Sequence, residues 1–245
     1  PASADLNGDG HKEIIFATSG GSLHAISSST GQDISGWPKT IGGASWNGPV
    51  VGDVTGNNQP DIVVVNVLGL VQAYDRQGNE IFSRTAGSQV RSGLIVSDLN
   101  NDGNSEIIFG DMSGNLHVLD SSGEDWGIFP INTGSPIEST PVLADMNVDG
   151  NQDILYGDNA GYLHSINISG EETANFPVFL EGSITVSPAI GHVDRDGDPD
   201  ILVPNSNGYN FIDYKRPIGS IAWGYFKGSI RRTGNYFDLT SVEEI

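Results

Sequence analysis

The chain has 245 residues, a formal net charge of −20 and no cysteine. This length is enough for a large core in one domain or for two small domains. The missing cysteines exclude disulfides and thiolate metal sites, and the acidity disfavours a nucleic-acid partner because it repels a phosphate backbone. No apolar stretch approaches the ~20 residues of a transmembrane helix, so the sequence predicts no transmembrane segment. We expect a monomeric domain of a larger chain.

An acidic loop opens the chain and then recurs. The first copy, "DLNGDGHKE", occupies residues 5–13, and two close copies, "DLNNDGNSE" and "DMNVDGNQD", begin at residues 98 and 145. Weaker copies begin at residues 53 and 192, so successive loops start 45 to 48 residues apart. A fixed period of this length indicates a repeat architecture.

Each repeat unit consists of four predicted short strands in chain order. The first strand ends at the acidic loop, as in "STPVLAD"; a β-branched run such as "IIFAT" leaves the loop; and "LHAIS" or its equivalent follows a glycine turn. The fourth strand is expected to carry an aromatic residue sixteen positions before the next loop. These aromatics are Trp37, Phe82, Phe129 and Phe176, with Trp223 at the corresponding place in the fifth unit.

Four strands in roughly 40–50 residues are typical of a propeller blade. We therefore predict an all-β fold, a β-propeller of about five four-stranded blades. A single domain would span residues 1–236, with a tail or linker at 237–245. The predicted blade units are residues 1–46, 47–91, 92–138, 139–185 and 186–236.

Two alternative architectures stay open. One is a six- or seven-bladed ring whose other blades lie upstream of Pro1, in which residues 227–239 ("KGSIRRTGNYFDL") would pair near the chain start. The other is a solenoid, although solenoid repeats are usually shorter and need caps.

The loops have the spacing of a calcium site. Oxygen-bearing side chains occupy loop positions 1, 3 and 5, a glycine occupies position 6, position 7 offers its carbonyl, and an acid at position 9 closes the shell. Ca²⁺ takes about 6–8 oxygen ligands and tolerates irregular geometry. The alternative is an acidic turn that binds no metal. We expect about three to five Ca²⁺ ions, because the five loops differ in their ligands.

The predicted metal ligands share these loop positions. They are Asp5, Asn7, Asp9, His11 and Glu13 in the first loop, Asp98, Asn100, Asp102, Asn104 and Glu106 in the third, Asp145, Asn147, Asp149, Asn151 and Asp153 in the fourth, and Asp194, Asp196, Asp198 and Asp200 in the fifth. The second loop has no glycine at position 6, and it offers only a weak site made of Asp53, Asn57 and Asp61.

The "DxNxDGxxE" loop, the preceding "SxPVxxD" strand and the "GWP" segment together resemble the FG-GAP/VCBS repeat family, whose calcium-loop blades also form integrin α-chain propellers. The resemblance covers almost the whole chain. It implies a secreted or cell-surface protein with a binding, adhesion or scaffolding role. The ending "WGYFKGSIRRTGNY" resembles the end of bacterial repeat regions, which implies a bacterial source.

One repeated position is expected to face a ligand. Seven residues before the loops lie Trp46, Arg91, Glu138 and Thr185, which are unlike one another. A position freed from packing can diverge in this way, and an aromatic, a guanidinium and a carboxylate together would suit a protein or carbohydrate ligand. A second repeated position is interpreted differently. Nineteen residues after the loop start, three units have a histidine (His24, His117 and His164), and we expect these side chains to pack within the fold.

No catalytic motif of the nucleophile-elbow, P-loop or HExxH type is present, and no unit carries a long insertion. We therefore expect a non-catalytic module. The plentiful carboxylates leave a catalytic propeller, such as a polysaccharide lyase or glycosidase, as an alternative. A structural spacer in a larger secreted protein is another.

Overall fold

The computed structural model describes residues 1–191 and 199–223, and all of the regular structure in these ranges is β-strand. In chain order the strands are β1 (Ala2–Ala4), β2 (Glu13–Ala17), β3 (Ser22–Ser27), β4 (Lys39–Thr40), β5 (Val50–Gly52), β6 (Asp61–Val65), β7 (Leu70–Tyr74), β8 (Glu80–Thr85), β9 (Ile95–Ser97), β10 (Glu106–Gly110), β11 (Asn115–Leu119), β12 (Ile131–Asn132), β13 (Val142–Ala144), β14 (Asp153–Gly157), β15 (Tyr162–Ile166), β16 (Val178–Phe179), β17 (Ala189–Gly191), β18 (Asp200–Asn205), β19 (Gly208–Asp213) and β20 (Ile221–Trp223).

These strands form five antiparallel sheets, numbered here in chain order. Sheets 1 to 3 contain β1–β4, β5–β8 and β9–β12, sheet 4 contains β13–β16 with β20, and sheet 5 contains β17–β19. Consecutive strands pair within each sheet because short turns suffice to join antiparallel neighbours. The strands of each sheet fall within one predicted unit, with β20 as the exception. The all-β, propeller-like prediction is confirmed at this level.

The fourth strand of three units does not contain the aromatic residue as predicted. Trp37, Phe129 and Phe176 each precede a cis proline, and β4, β12 and β16 begin only after that proline. Proline has no N–H to donate to a strand ladder, so the pairing starts beyond it. Phe82 is followed by a serine, and it lies inside β8 as predicted.

The assignment of Trp223 to a fourth strand of the fifth unit is wrong. The strand β20 pairs with β13 of sheet 4, where Leu143 is opposite Trp223 and Ala144 is opposite Ile221. The outer edge of β13 offers free backbone groups to this segment, which leaves sheet 5 with three strands among the described residues.

The apolar core lies between neighbouring sheets. Four clusters of buried residues join sheet 1 to 2, 2 to 3, 3 to 4 and 4 to 5. Because β6, β10 and β14 are covered on both sides, every residue in them is buried. Within residues 1–191 and 199–223, no cluster joins sheet 5 back to sheet 1. The nearly complete five-bladed ring is therefore corrected to an unclosed row of sheets, with Ile14 and Leu202 exposed at its ends.

Candidate functional site

In sheets 1 to 4, an acidic loop connects the first strand to the second. In the first loop both oxygens of Asp5 accept backbone hydrogen bonds, from the N–H of Gly8 at 2.7 Å and of Gly10 at 2.9 Å. The position-1 aspartates Asp53, Asp98 and Asp145 also accept two backbone N–H groups each, but from positions 5 and 6 rather than from positions 4 and 6. The repeated sequence therefore produces loops of similar conformation, in which the N–H of position 6 always donates to the first aspartate.

Positions 3 and 5 continue this pattern. The side-chain oxygen of Asn7 accepts the N–H of Asp9 at 2.8 Å, and Asp9 accepts the N–H of His11 at 2.8 Å. The third and fourth loops repeat both contacts at Asn100, Asp102, Asn147 and Asp149. Gly10 has a φ of +85°, as the predicted sharp turn requires.

The position-9 acid lies beneath each loop. Glu13 is 1% exposed and its Oε2 accepts the N–H of Leu6 at 2.8 Å. Its equivalents Asp61, Glu106 and Asp153 are also buried and accept the N–H of Val54, Leu99 and Met146. The closing acid is thus held in place from the buried side of the loop.

Burial makes these closing carboxylates poor acids. It raises the pKa of Glu106 to about 7, with a further contribution from the negative charges of Asp102 and Asp98. Burial likewise raises the pKa of Asp153 to about 7, and Asp149 and Asp145 add to the effect. The ionised form is penalised by both causes, and a bound cation would offset both.

The second loop keeps this conformation despite its different sequence. Asn58 takes the place of the glycine with a φ of +58°, a conformation that asparagine tolerates better than most residues. Thr55 donates its hydroxyl to Oδ2 of Asp61 at 3.0 Å, the same oxygen that accepts the backbone N–H of Val54 and of Thr55. The other oxygen of Asp61, Oδ1, is buried and has no hydrogen-bond partner in the described structure.

The predicted ligands of each described loop lie near one another, but their side chains do not surround a common point. No group of three or more acidic or histidine side chains in the described ranges is arranged to hold a metal ion. In the fifth loop, Asp194, Asp196 and Asp198 lie outside the described residues, and Asp200 is a buried residue of β18. The oxygen-only donor set fits a hard cation such as Ca²⁺, since Ca²⁺ prefers oxygen ligands.

The C-terminal end of the described chain lies against the fourth loop, which the repeat pattern did not predict. Gly219 donates its N–H to the carbonyl of Asp145 at 2.7 Å, and the N–H of Asp145 donates to the carbonyl of Ser220 at 2.9 Å. Gln152 donates its side-chain amide to the hydroxyl of Ser220 at 2.6 Å. Asp145 is consequently only 3% exposed.

The predicted ligand-facing residues form a chain of contacts across three units. The guanidinium of Arg91 lies 5.1 Å from the ring centroid of Trp46, and its Nη1 is 3.4 Å from Oε2 of Glu138. Asn159 donates to the other oxygen of Glu138 at 2.8 Å. Asn159 was not among the predicted residues, because it lies at a different repeat position, fourteen residues after the start of its loop.

Trp46 lies at one end of this series of side-chain contacts and is accessible to solvent. Its side chain is 62% exposed, although Arg91 covers one region of it. It also lines a cavity of about 510 Å³, together with Ile14, Phe16 and Ala17. The backbone of Arg91 is fixed by Asn47, whose side-chain amide donates to the Arg91 carbonyl.

The three histidines occupy a packing position, as predicted. His24, His117 and His164 lie in the third strands and stack on Phe16, Phe109 and Tyr156, with ring centroids 5.2, 4.7 and 5.0 Å apart. Each imidazole also lies beside a carboxylate, which is Asp111 at 3.0 Å in the case of His117.

Comparison with known proteins supports the repeat. Residues 5–64 match the FG-GAP-like repeat family. No curated protein matches the chain in sequence.

Solved structures share the fold at low sequence identity. The V. cholerae biofilm matrix protein Bap1 has a TM-score of 0.63 at 19% identity, over 91% of this chain and 38% of Bap1. The BBS1N protein, crystallised in complex with ARL6DN, has a TM-score of 0.59 at 14% identity, over 91% of this chain and 68% of its own. The Saccharomyces cerevisiae protein Sqt1 has a TM-score of 0.57 at 16% identity, over 84% of this chain and 58% of Sqt1. At such identities the likeness establishes the fold alone.

Proposed function

We propose that this protein is a calcium-binding, non-catalytic propeller module that recognises a protein or carbohydrate ligand. The match of residues 5–64 to the FG-GAP-like repeat family supports this proposal. The module would belong to a larger secreted or cell-surface protein of bacterial origin and serve in adhesion or as a scaffold. The likeness to a V. cholerae biofilm matrix protein supports this setting, and the BBS1N complex supports a protein partner.

Calcium would be held by the loops rather than by a cluster between sheets. The first, third and fourth loops offer side-chain oxygens at positions 1, 3, 5 and 9 and a carbonyl at position 7. A bound ion would supply positive charge beside the buried acids Glu13, Glu106 and Asp153, whose pKa values burial raises. Its role would be structural, because these loops tie the first strand of each sheet to the second.

The ligand assignment depends on one observation. Trp46, Arg91 and Glu138 belong to three different repeat units, yet they form one continuous chain of contacts with an exposed indole at its end. An exposed tryptophan costs solubility unless it serves an interface, where aromatics and arginine are enriched. Its flat ring would stack on a sugar or on an apolar side chain, and the Arg91–Glu138 pair would hydrogen-bond to polar groups beside it.

Binding of this protein to arrays of glycans and of extracellular proteins, measured with and without Ca²⁺, would test this proposal. We expect a calcium-dependent ligand whose binding falls at least about tenfold with Trp46→Ala, as for an interface anchor. Tyr209→Ala is the matched control, since Tyr209 is a 76% exposed aromatic of sheet 5. Equal losses in the two variants, or binding that persists in both, would contradict the assignment of the Trp46 face.

A further inference from the structure

In three interfaces between neighbouring sheets, a glycine turn of the following sheet packs against the segment that carries the aromatic residue of the preceding sheet. Each turn follows a third strand, and its glycine has a φ between +80° and +83°. These glycines are Gly78, Gly123 and Gly170. A β-carbon on Gly123 would lie 2.5 Å from the ring of Phe82, so the packing is close. The three aromatics are buried, with exposed fractions of 8% for Trp37, 8% for Phe82 and 3% for Phe129.

The interface between sheets 4 and 5 lacks this turn. The glycine position, twenty-five residues after the loop start, is held in the fifth unit by Pro217. A proline ring fixes φ near −65°, so the left-handed conformation of the glycine turn is excluded there. Arg216 instead donates its backbone N–H to the carbonyl of Tyr214 at 2.6 Å, which makes a different, tighter turn. Phe176, the aromatic residue of the fourth unit, is consequently only partly buried.

A cavity of about 340 Å³ lies beside Phe176 and is here called the sheet 4–5 cavity. Asn175, Phe176 and Val178 line it from one side, and residues 212–216 line it from the other. Its volume is near the lower end of the range of about 300–1,000 Å³ for small-molecule sites. The cavity therefore suits a single ring rather than a peptide. None of its lining residues belongs to the Trp46 face, so the two sites can be tested separately.

The charge in the sheet 4–5 cavity is opposite to that of the whole chain. Lys215 and Arg216 are its cations and Asp213 is the one acid among its lining residues, whereas the chain has 31 acidic and 11 basic residues. The Nζ of Lys215 lies 2.6 Å from Oδ2 of Asp213, so these two charges offset each other. Arg216 forms no ion pair within residues 1–191 and 199–223. One positive charge is left for a ligand.

We propose that the sheet 4–5 cavity binds a single carboxylate carried on a six-membered ring. A guanidinium binds a carboxylate through two parallel hydrogen bonds, and the one charge left on Arg216 matches a carboxylate better than a doubly charged phosphate. The ring of Phe176 offers a flat apolar surface against which the ligand ring can stack. Asn175 can hydrogen-bond with a hydroxyl group on that ring. A uronic-acid sugar and an aromatic acid share this chemistry.

Titrations of four small ligands, followed by NMR of the protein, test the chemistry. We expect glucuronate to bind with a Kd on the order of 1 mM, as for a ligand of about 13 non-hydrogen atoms. Glucose lacks the carboxylate and acetate lacks the ring, so both should bind at least about tenfold more weakly. Benzoate distinguishes the two sources, because the tighter of benzoate and glucuronate identifies the kind of ring. Equal affinity for glucuronate and glucose, or no binding of either ring carboxylate, would overturn the proposal.

Arg216→Gln and Arg76→Gln form a matched pair. Arg76 lies in the equivalent turn of sheet 2, where Gly78 packs against sheet 1, and both substitutions remove one positive charge. We expect Arg216→Gln to weaken glucuronate binding at least about tenfold, as for the loss of a charged hydrogen bond. Arg76→Gln should leave binding unchanged. Equal losses would show that the ligand responds to net charge, and unchanged binding in both would place it outside the cavity; both results contradict the proposal.

Phe176→Leu tests the ring separately from the charge. Leucine keeps an apolar side chain but removes the flat surface, so glucuronate binding should fall about two- to tenfold. Phe82→Leu is the matched control, since Phe82 holds the same repeat position but is covered by Gly123. It should leave binding unchanged, and melting curves of both variants show whether they are folded. An equal loss in two folded variants would mean that the ligand does not contact Phe176, against the proposal.

Discussion

The backbone N–H of Asp145 donates to the carbonyl of Ser220 at 2.9 Å, so the first residue of the fourth loop is joined to the residue that precedes β20, the last strand of the described chain. This contact adds β20 to the edge of β13 and buries Asp145. The fourth loop is therefore braced by a distant segment. No equivalent segment is described beside the first loop, where Asp5 is partly exposed.

Gly219→Ala should disturb the fourth loop alone. A β-carbon at this position would collide with the carboxylate of Asp145 and displace it. We expect one calcium ion fewer in a titration followed by calorimetry, with the first and third loops unaffected. Gly20→Ala is the control, because a β-carbon there meets only a hydroxyl at 3.7 Å. Full calcium stoichiometry in Gly219→Ala would show that the contact does not support the loop.

Removing calcium should lower the melting temperature. For sites with a dissociation constant near 10⁻⁴–10⁻³ M, Ca²⁺ at tenfold excess contributes about 1.4 kcal/mol per site. Three full loops would then shift the midpoint by roughly 10 °C for a chain of this size. Differential scanning calorimetry in excess EDTA and in Ca²⁺ measures this, with Mg²⁺ as the control ion. Superimposable curves, starting from metal-free protein, would argue against structural calcium.

The aspartates at loop position 1 should differ in their effect on ion number. Asp98→Ala removes a ligand from a complete loop, and we expect it to abolish one ion. Asp53→Ala should leave the ion count unchanged, because Thr55 and Asn57 replace the other ligands of that loop. The structure adds a stability effect at Asp53, since its carboxylate accepts two backbone N–H groups, and losing them should cost about 1 kcal/mol. A tightest site in the 53–61 loop would refute the ranking.

The sequence predicted the strands and loops of the repeat because both recur with one period. Proline explains where three of the fourth strands start, because Pro38, Pro130 and Pro177 cannot donate an N–H to the strand ladder. The pairing of β20 with β13 was not predictable from the repeat. The repeat position of Trp223 assigns it to sheet 5, whereas the strand edge with unpaired backbone groups that it joins belongs to sheet 4. Trp46, Arg91 and Glu138 were found together because they share a phase, and Asn159 was missed because it does not.

The calcium-free protein should lose stability as the pH rises from about 4 to 7. The pKa of Glu106 and that of Asp153 are each raised to about 7 by burial and by neighbouring carboxylates. In this window the folded state retains protons that the unfolded state has released, so the free energy of unfolding falls with rising pH. Urea unfolding between pH 4 and 8 measures the slope.

Glu106→Gln should flatten this slope, whereas Glu181→Gln, at an exposed position, should leave it unchanged. Ca²⁺ should also oppose the loss, because it stabilises the ionised acids. A stability that rises with pH through this window in the absence of metal would show that the two acids are ionised at little cost in the folded protein.

Ligand binding and stability should separate at the Trp46 face. Trp46 is 62% exposed and Arg91 makes a partly exposed ion pair with Glu138, so Trp46→Ala and Arg91→Ala should each change the free energy of unfolding by no more than about 0.5 kcal/mol. Both should weaken binding of the ligand found on the arrays, as surface plasmon resonance would measure. Thr185→Ala is the matched control, because Thr185 holds the same repeat position and is exposed. Loss of stability in step with binding would mean that Trp46 packs rather than binds, and unchanged binding in both variants would place the ligand elsewhere.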